Sequence, residues 1–254
     1  MRTLIIDNLL HYRVYYRQID LIMVDIKANI EKVKQRIEAA ARRVNRNPSE
    51  IILLAATKDV PVELIEKAIQ SGITYIGENR IQEARSKYEA LKEKYPQVNW
   101  HFIGHLQTNK VKKVLDIFST IESVDSRRLI EDISKKAEEK GKQVNIFIEV
   151  NTSGEASKFG VTPEETGAVV SFASRFKNLK IKGLMTIAPL AQDPEKARPY
   201  FRRLKELRED IKKLNIAGAE LDYLSMGMTD DFEVAVEEGS NIVRIGRAIF
   251  GIEH

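Results

Sequence analysis

One lysine of this chain stands where an amine could do chemistry. Lys58 directly follows residues 51–57, a run of apolar and β-branched side chains without a charge. Partial removal from water at the end of a buried strand leaves a lysine amine available as a nucleophile. The alternative is that the side chain extends from the strand end into solvent and does no chemistry.

A second group of residues has the composition of a phosphate site. Ser225 and Thr229 offer hydroxyl groups, while Gly227 and Gly246 allow backbone N–H groups to approach an anion closely. The alternative is two ordinary strand-to-helix turns, each with a polar side chain that caps the helix. Combined with Lys58, this group predicts a ligand that carries a phosphate and reacts with amines. Pyridoxal 5′-phosphate is such a ligand.

Short apolar runs alternate with helical stretches along most of the chain. The runs of strand character are residues 51–57, 75–77, 100–104, 120–124, 144–150, 181–187, 221–226 and 242–245. The helical stretches are residues 24–44, 62–70, 81–94, 110–116, 127–140, 163–175, 194–214 and 231–238. Pro163 and Pro194 mark two helix starts, because proline is favoured at the first helical position.

This alternation predicts a single α/β domain, a (β/α)8 or TIM barrel with one helix before its first strand. Strands that alternate with helices form parallel sheets through right-handed crossovers, and eight such strands can close into a barrel. The 254 residues suit this fold, which typically takes about 250. An open doubly wound sheet is the alternative. It requires a glycine-rich turn after the first strand, and residues 57–61 contain no glycine.

The first 22 residues do not fit this pattern. Apolar side chains are mixed there with tyrosine and arginine, and the segment lacks the unbroken apolar region of a signal peptide. Residues 1–22 are therefore either an upstream extension without a role or an extra helix on the outside of the barrel. Residues 23–254 are predicted to form the single domain.

Composition limits the partners and the location. The 41 basic and 37 acidic residues leave a net charge of only +4, which indicates a salt-bridged surface rather than a nucleic-acid-binding one. The absence of cysteine excludes disulfides and thiolate ligands, and no metal site is expected. No apolar run approaches the roughly 18–20 residues of a membrane span. We expect a cytoplasmic protein that binds neither membranes nor nucleic acids.

The residues that end the strands form the candidate site, because barrel active sites lie at the C-terminal ends of the strands. In strand order they are Lys58, Asn79, His105, Asp125, Asn151, Thr186, Ser225 and Arg244. This rim is rich in hydrogen-bonding groups and poor in carboxylates. His105 is the best candidate for proton transfer, although hydrogen bonding at a strand end is its simpler role. Tyr75 and Tyr223 lie within strands and are predicted to be core or wall residues.

Several of these segments together resemble the pyridoxal phosphate homeostasis protein family. Its members are single-domain barrels related to the N-terminal domain of alanine racemase. The longest matching segment runs from Trp100 to Lys110, and the others are residues 54–58, 77–79, 183–186, 225–232 and 244–251. The resemblance extends from about residue 23 to residue 251 and is specific because all six segments occur in one order. It implies fold type III of the pyridoxal phosphate proteins.

The resemblance also implies roles for individual residues. Lys58 would form a Schiff base with the cofactor, and Arg244 would face its pyridine nitrogen. The phosphate would be held by Ser225, Gly227, Gly246 and Arg247. The remaining implied pocket residues are Asn79, Met185 and Met226.

The resemblance does not fix the roles of two residues and of the N-terminal segment. Lys158 matches a second lysine of the family, and its role is not implied by the resemblance. Arg247 stands where many relatives carry a small hydroxyl residue, which puts one phosphate contact in doubt. Residues 1–22 have no counterpart in the family.

Arg244 also bears on the choice between carriage and catalysis. A pyridinium needs a carboxylate partner to act as a strong electron sink, and an arginine in that place disfavours ring protonation. Racemase-like chemistry would then need a second acid–base group, by resemblance a tyrosine from a C-terminal domain that we do not expect here. The resemblance therefore favours a monomer that holds and carries the cofactor, with apo enzymes as its recipients. The alternative is a racemase-like amino-acid enzyme.

Overall fold

Eight parallel strands close into a barrel. The computed structural model describes residues 24–252. The strands are β1 (Ile52–Ala56), β2 (Tyr75–Glu78), β3 (Asn99–Phe102), β4 (Thr120–Val124), β5 (Val144–Glu149), β6 (Leu179–Met185), β7 (Ala219–Ser225) and β8 (Ile242–Ile245). Each pairs with its neighbours in chain order, and β1 pairs with β8. The closed barrel is confirmed, and the open-sheet alternative is wrong.

Helices connect the strands on the outside of the barrel. They are α1 (Ile26–Arg43), α2 (Val62–Gln70), α3 (Ile81–Leu91), α4 (Val111–Val114), α5 (Arg127–Glu139), α6 (Pro163–Ala173), α7 (Arg198–Lys213), α8 (Phe232–Glu237) and α9 (Arg247–Phe250). Short 3₁₀ turns occupy Pro48–Glu50, Thr108–Lys110 and Pro194–Ala197. As the sequence predicts, Pro163 starts α6, and the structure adds a capping box formed by Thr162 and Glu165.

Two apolar layers hold the barrel together. An inner cluster fills the barrel and consists of Leu54, Ile103, Phe147, Met185 and Ile242. A larger outer cluster lies between the strands and the helices. Side chains alternate between the two faces of a strand, which is why β1 contributes Leu54 to the inner cluster and Ala55 to the outer one. Each large side chain that is fully buried contributes roughly 1.5–3 kcal/mol.

The predicted helix before β1 is confirmed and packs against the outer helices α8, α9 and α2. Asp25 caps α1 by accepting a hydrogen bond from the backbone of Ala28. Asn29 of α1 donates to the carbonyl of Ile249 at 3.0 Å, and Arg46 donates to the carbonyls of Val236 and Ser240. The first described helix is therefore held by the last helices of the chain.

Two sequence predictions concern the chain ends and membranes. Residues 1–22 lie outside the described residues, so the division of the chain at residue 23 stays a prediction. Within residues 24–252, no helix is both long and apolar enough to cross a membrane.

Candidate functional site

Lys58 follows the C-terminal end of β1 on the interior side. Leu54 and Ala56 face the inner cluster, so the alternation directs Lys58 toward the mouth of the barrel. Its side chain is 30% exposed, and its Nζ atom lies 3.7 Å from a carboxylate oxygen of Asp59. The amine is accessible from solvent, as a nucleophile must be.

A cleft of about 480 Å³ opens beside this amine and is lined by Lys58, Asn79 and His105. His105 Nδ1 lies 3.2 Å from a carboxylate oxygen of Asp125, and its ring stacks on Phe159 with the centroids 3.7 Å apart. The cleft therefore brings together three of the residues that the sequence predicts for the site.

A buried lysine holds the turn that carries Lys58. Lys87 of α3 donates from Nζ to the carbonyl of Thr57 at 2.5 Å and to Glu78 at 2.8 Å, and it also contacts Glu83. The Thr57 hydroxyl donates to Glu78 at 2.6 Å. The backbone N–H of Asp59 donates to Glu83 at 2.6 Å. This Lys87 cluster (Thr57, Glu78, Glu83 and Lys87) thus fixes the backbone on both sides of Lys58.

Polar side chains also cross the interior of the barrel. Arg244 donates from Nη1 to the Ser225 hydroxyl at 2.7 Å and from Nη2 to the carbonyl of Thr186 at 2.9 Å. The Ser225 hydroxyl donates to Glu122 at 2.5 Å, and His101 Nδ1 lies 2.6 Å from the other oxygen of Glu122. We call His101, Glu122, Ser225 and Arg244 the interior polar chain. All four side chains are buried.

The charges of the interior polar chain stabilise one another. Burial alone works to raise the pKa of Glu122, but the hydrogen bond and charge of His101, the charge of Arg244 and the Ser225 hydroxyl together lower it. Glu122 is therefore ionised and accepts hydrogen bonds, so His101 Nδ1 is the donor. Burial lowers the pKa of Arg244, and the carboxylates of Glu122, Glu149 and Asp231 oppose that shift.

The turns that follow β7 and β8 are built closely. Gly227 has φ +94°, and a Cβ atom there would lie 2.5 Å from the Cβ atom of Ala235. A Cβ atom at Gly246 would lie 3.1 Å from the carbonyl oxygen of Ala56, two residues before Lys58. The exposed side chain of Arg247 forms an ion pair with Asp230. The turn at Gly246 therefore borders the strand that carries Lys58, the turn at Gly227 packs against α8, and the Arg247 side chain points to the surface.

The remaining predicted residues divide between the inside and the outside of the barrel. Met185 belongs to the inner cluster, whereas Met226 belongs to the outer cluster. Because Ser225 faces the interior, the side chain of Met226 lies on the opposite side of the strand, away from the mouth. Lys158 donates to the carbonyl of Ile187 at 3.2 Å, and burial lowers its pKa.

The expectation that the mouth is poor in carboxylates is wrong. Glu149 ends β5 and is only 6% exposed, and Asp231 lies in the turn before α8 near Arg244. Deeper in the barrel, Glu122 is fully buried. The sequence carries a signal for these residues: Glu122 and Glu149 are the single charged residues of their strands. Burying a charged side chain at such a position costs free energy unless the charge is paired or hydrogen-bonded.

Replacing Gly227 by alanine is expected to destabilise the protein by about 1–3 kcal/mol, since alanine combines positive φ with a clash against Ala235. Gly154→Ala is the matched control, because Gly154 has φ +74° but no atom within 4 Å of the added Cβ. Urea unfolding of both variants measures the difference. Equal losses of unfolding free energy in Gly227→Ala and Gly154→Ala would show that the turn after β7 is not tightly packed.

Comparisons with known proteins agree with the fold and show the family. The family model of the alanine racemase N-terminal domain matches residues 25–254. The pyridoxal phosphate homeostasis protein of Aquifex aeolicus (strain VF5) is 44% identical over 223 residues, which are 87% of this chain and 96% of that protein. The protein of the same name from Escherichia coli K12 is 35% identical over 230 residues, covering 90% and 97%.

Solved structures give the same result. The structure of PipY from Synechococcus elongatus with pyridoxal phosphate bound has a TM-score of 0.74 and 31% identity, covering 85% of this chain and all of that one. An alanine racemase of Clostridium difficile 630 has a TM-score of 0.69 at 12% identity, covering 90% of this chain and 57% of that one. The racemase therefore shows the likeness of the fold alone.

Proposed function

Because this chain belongs to the alanine racemase N-terminal domain family, and within it to the pyridoxal phosphate homeostasis proteins, we propose that it binds pyridoxal 5′-phosphate on Lys58 and keeps a cellular reserve of it. The position of Lys58 carries this proposal. A solvent-accessible amine at the mouth of a barrel, on a strand that the glycine turn at Gly246 borders, suits a ligand with an aldehyde and a phosphate. When bound, the cofactor supplies an aldehyde that condenses reversibly with an amine.

The residues of the mouth fit this cofactor. At Gly227 and Gly246 a Cβ atom would meet Ala235 and the carbonyl of Ala56, so only glycine fits these turns, and no side chain of their own covers their backbone N–H groups. Arg244 provides a fixed positive charge within the barrel. Lys58, Asn79 and Met185 lie at the ends of the first, second and sixth strands and would surround the ring.

Ser225 and Arg247, two residues of the predicted site, already have partners within the protein. The Ser225 hydroxyl has one proton, which it donates to Glu122. To donate to a phosphate, that hydroxyl must first leave Glu122. Arg247 would contribute its backbone rather than its side chain, since the guanidinium pairs with Asp230. We therefore assign the phosphate mainly to the turns at Gly227 and Gly246.

Carriage without turnover is the function that Arg244 supports. A buried guanidinium disfavours a second positive charge close by, so a cofactor beside it would be a weak electron sink. The curated relatives are named as homeostasis proteins rather than as enzymes. An amino-acid racemase is the alternative and is not favoured. Conversion of any amino acid by the purified protein would revive it.

Reductive labelling tests the proposal. Purified protein is mixed with pyridoxal 5′-phosphate, reduced with borohydride and mapped by peptide mass spectrometry. We expect a visible absorption band before reduction and the label on Lys58, and Lys58→Arg should lose both. Lys94→Arg is the control, because Lys94 is an exposed lysine paired with Glu66. Absence of label on Lys58 in the wild-type protein would refute the proposed site.

We also propose the recipients of the cofactor, the oligomeric state of the protein and its location in the cell. Apo enzymes that use the cofactor are the proposed recipients, and mixing the loaded protein with one such apo enzyme tests transfer. A monomer is proposed because one closed barrel contains every residue assigned above, and light scattering tests it. The proposed location is the cytoplasm, where such recipients are made.

A further inference from the structure

Within residues 24–252, the carboxylate of Glu149 at the mouth of the barrel has no hydrogen-bond or ion-pair partner. It ends β5 two residues after Phe147 of the inner cluster and pairs in register with Met185, so its side chain faces the interior. It is 6% exposed. Among the hydrogen bonds and ion pairs of residues 24–252, none involves this carboxylate, whereas Glu122 and Arg244 both have partners.

The neighbouring strands explain why Glu149 stays unpaired. On β4, Asp125 is itself acidic and is engaged by His105 of the β3 end. On β6 and β7, the facing residues Met185, Thr186 and Ser225 carry no charge. On β8, Arg244 attracts Glu149 but gives its hydrogen bonds to Ser225 and Thr186. From the loops above, Lys158 donates to a backbone carbonyl and Asp231 accepts from the backbone of Met228.

A carboxylate that is almost buried and unpaired costs free energy unless it binds a proton or a cation. Burial, followed by the charge of Asp125, raises the pKa of Glu149 to about 7, against the attraction of Arg244. The side chain can therefore gain and lose a proton near neutrality. A cationic group that also donates hydrogen bonds would remove both penalties at once, and a primary ammonium is the simplest such group.

We propose that Glu149 binds the ammonium group of a primary amine that enters the mouth and accepts a proton from it. This inference rests on the proposed function, because an amine that displaces Lys58 must first lose a proton to become a nucleophile. The proton passes from the ammonium nitrogen to a carboxylate oxygen, which leaves a neutral amine and a neutral acid. Glu149 then returns the proton to solvent, and Lys58, once displaced, takes one up as its free ammonium forms.

The first test uses protein without cofactor. The carboxyl carbon of Glu149 is followed by ¹³C NMR during a pH titration, and the resonance missing from Glu149→Gln identifies it. We expect ethylammonium chloride to lower the pKa of this group. Tetramethylammonium chloride, which has the same charge but no N–H donor, should leave it almost unchanged. Equal effects of the two salts, or no effect of either, would overturn the inference without touching the proposed function.

The second test measures release of the cofactor by ethylamine near pH 8. We expect Glu149→Gln to slow amine-dependent release about 100-fold, the usual scale for loss of a general base. Glu164→Gln is the matched control, because Glu164 is exposed at the start of α6. This variant should release the cofactor at the wild-type rate. Wild-type rates in both variants would refute the role of Glu149. Failure of even the wild-type protein to load would refute the proposed function, and the NMR titration would still decide the inference.

Discussion

Replacing Glu122 by leucine is expected to lower the free energy of unfolding by about 3–5 kcal/mol, the usual cost of removing one partner from a buried ion pair. Glu122 binds His101 and Ser225, and among the neighbouring carboxylates it makes the largest contribution to offsetting the buried charge of Arg244. Leucine fills similar space but removes the largest of the charges that offset Arg244, leaving only Glu149 and Asp231. Guanidinium-induced unfolding measures the change.

The pH dependence of this effect has a definite sign. The folded protein lowers the pKa of Glu122 below its ordinary value of 4.5. The stabilisation is thus complete above that value and is lost as the pH falls through the folded pKa. The difference between wild type and Glu122→Leu should shrink in acid. Glu131→Leu, on the exposed face of α5, is the control and should stay within about 0.5 kcal/mol of wild type. A fully stable Glu122→Leu variant would show that the interior polar chain contributes no net stability.

Replacing Lys87 by methionine should cost about 3 kcal/mol and slow the attachment of pyridoxal 5′-phosphate to Lys58. Its ammonium group is the cation that Glu78 and Glu83 share, and it also binds the carbonyl of Thr57. Methionine has a similar length, so the lost charge and hydrogen bonds cause the effect. Unfolding in urea and the rate of reductive labelling measure the two consequences.

A second substitution separates charge from packing in this cluster. Burial raises the pKa of Glu78, and Lys87 opposes this shift. Adding Glu78→Gln to the methionine variant removes the uncompensated acid and should restore part of the stability. Lys94→Met, at an exposed lysine, is the matched control. If Lys87→Met and Lys94→Met are equally stable and label equally fast, the Lys87 cluster does not support Lys58.

The alternation of apolar runs and helices was enough to predict the barrel, because period and length are local properties of the chain. The boundaries were less certain where tertiary packing decides them. The strand predicted at residues 181–187 begins at Leu179 instead, and the one predicted at 221–226 begins at Ala219. These two strands pair with a register shift near Gly183, and Leu221 has positive φ. Neither irregularity has a sequence signal.

For a similar reason, the sequence predicts some residues of the candidate site and misses their partners. Lys58, Ser225 and Arg244 stand at strand ends, where a sequence pattern points to chemistry. The partners of these residues come from elsewhere: Lys87 lies on a helix, and Glu122 lies on the opposite side of the barrel. Which face of a strand looks inward depends on how the barrel closes. A single sequence therefore gave no reason to connect Glu122 with Arg244 or Lys87 with Lys58.

The attachment of α1 to the final helices has a consequence for the timing of synthesis. Arg43 pairs with Glu237, and Arg46 binds the carbonyl of Ser240 across 194 residues of chain. At about 5–20 residues per second, a ribosome needs about 10–40 s to add that much chain. During this interval the apolar face of α1 has been translated, but the helices that cover it have not. The apolar face of α1 therefore lacks these partners on the nascent chain for at least that interval.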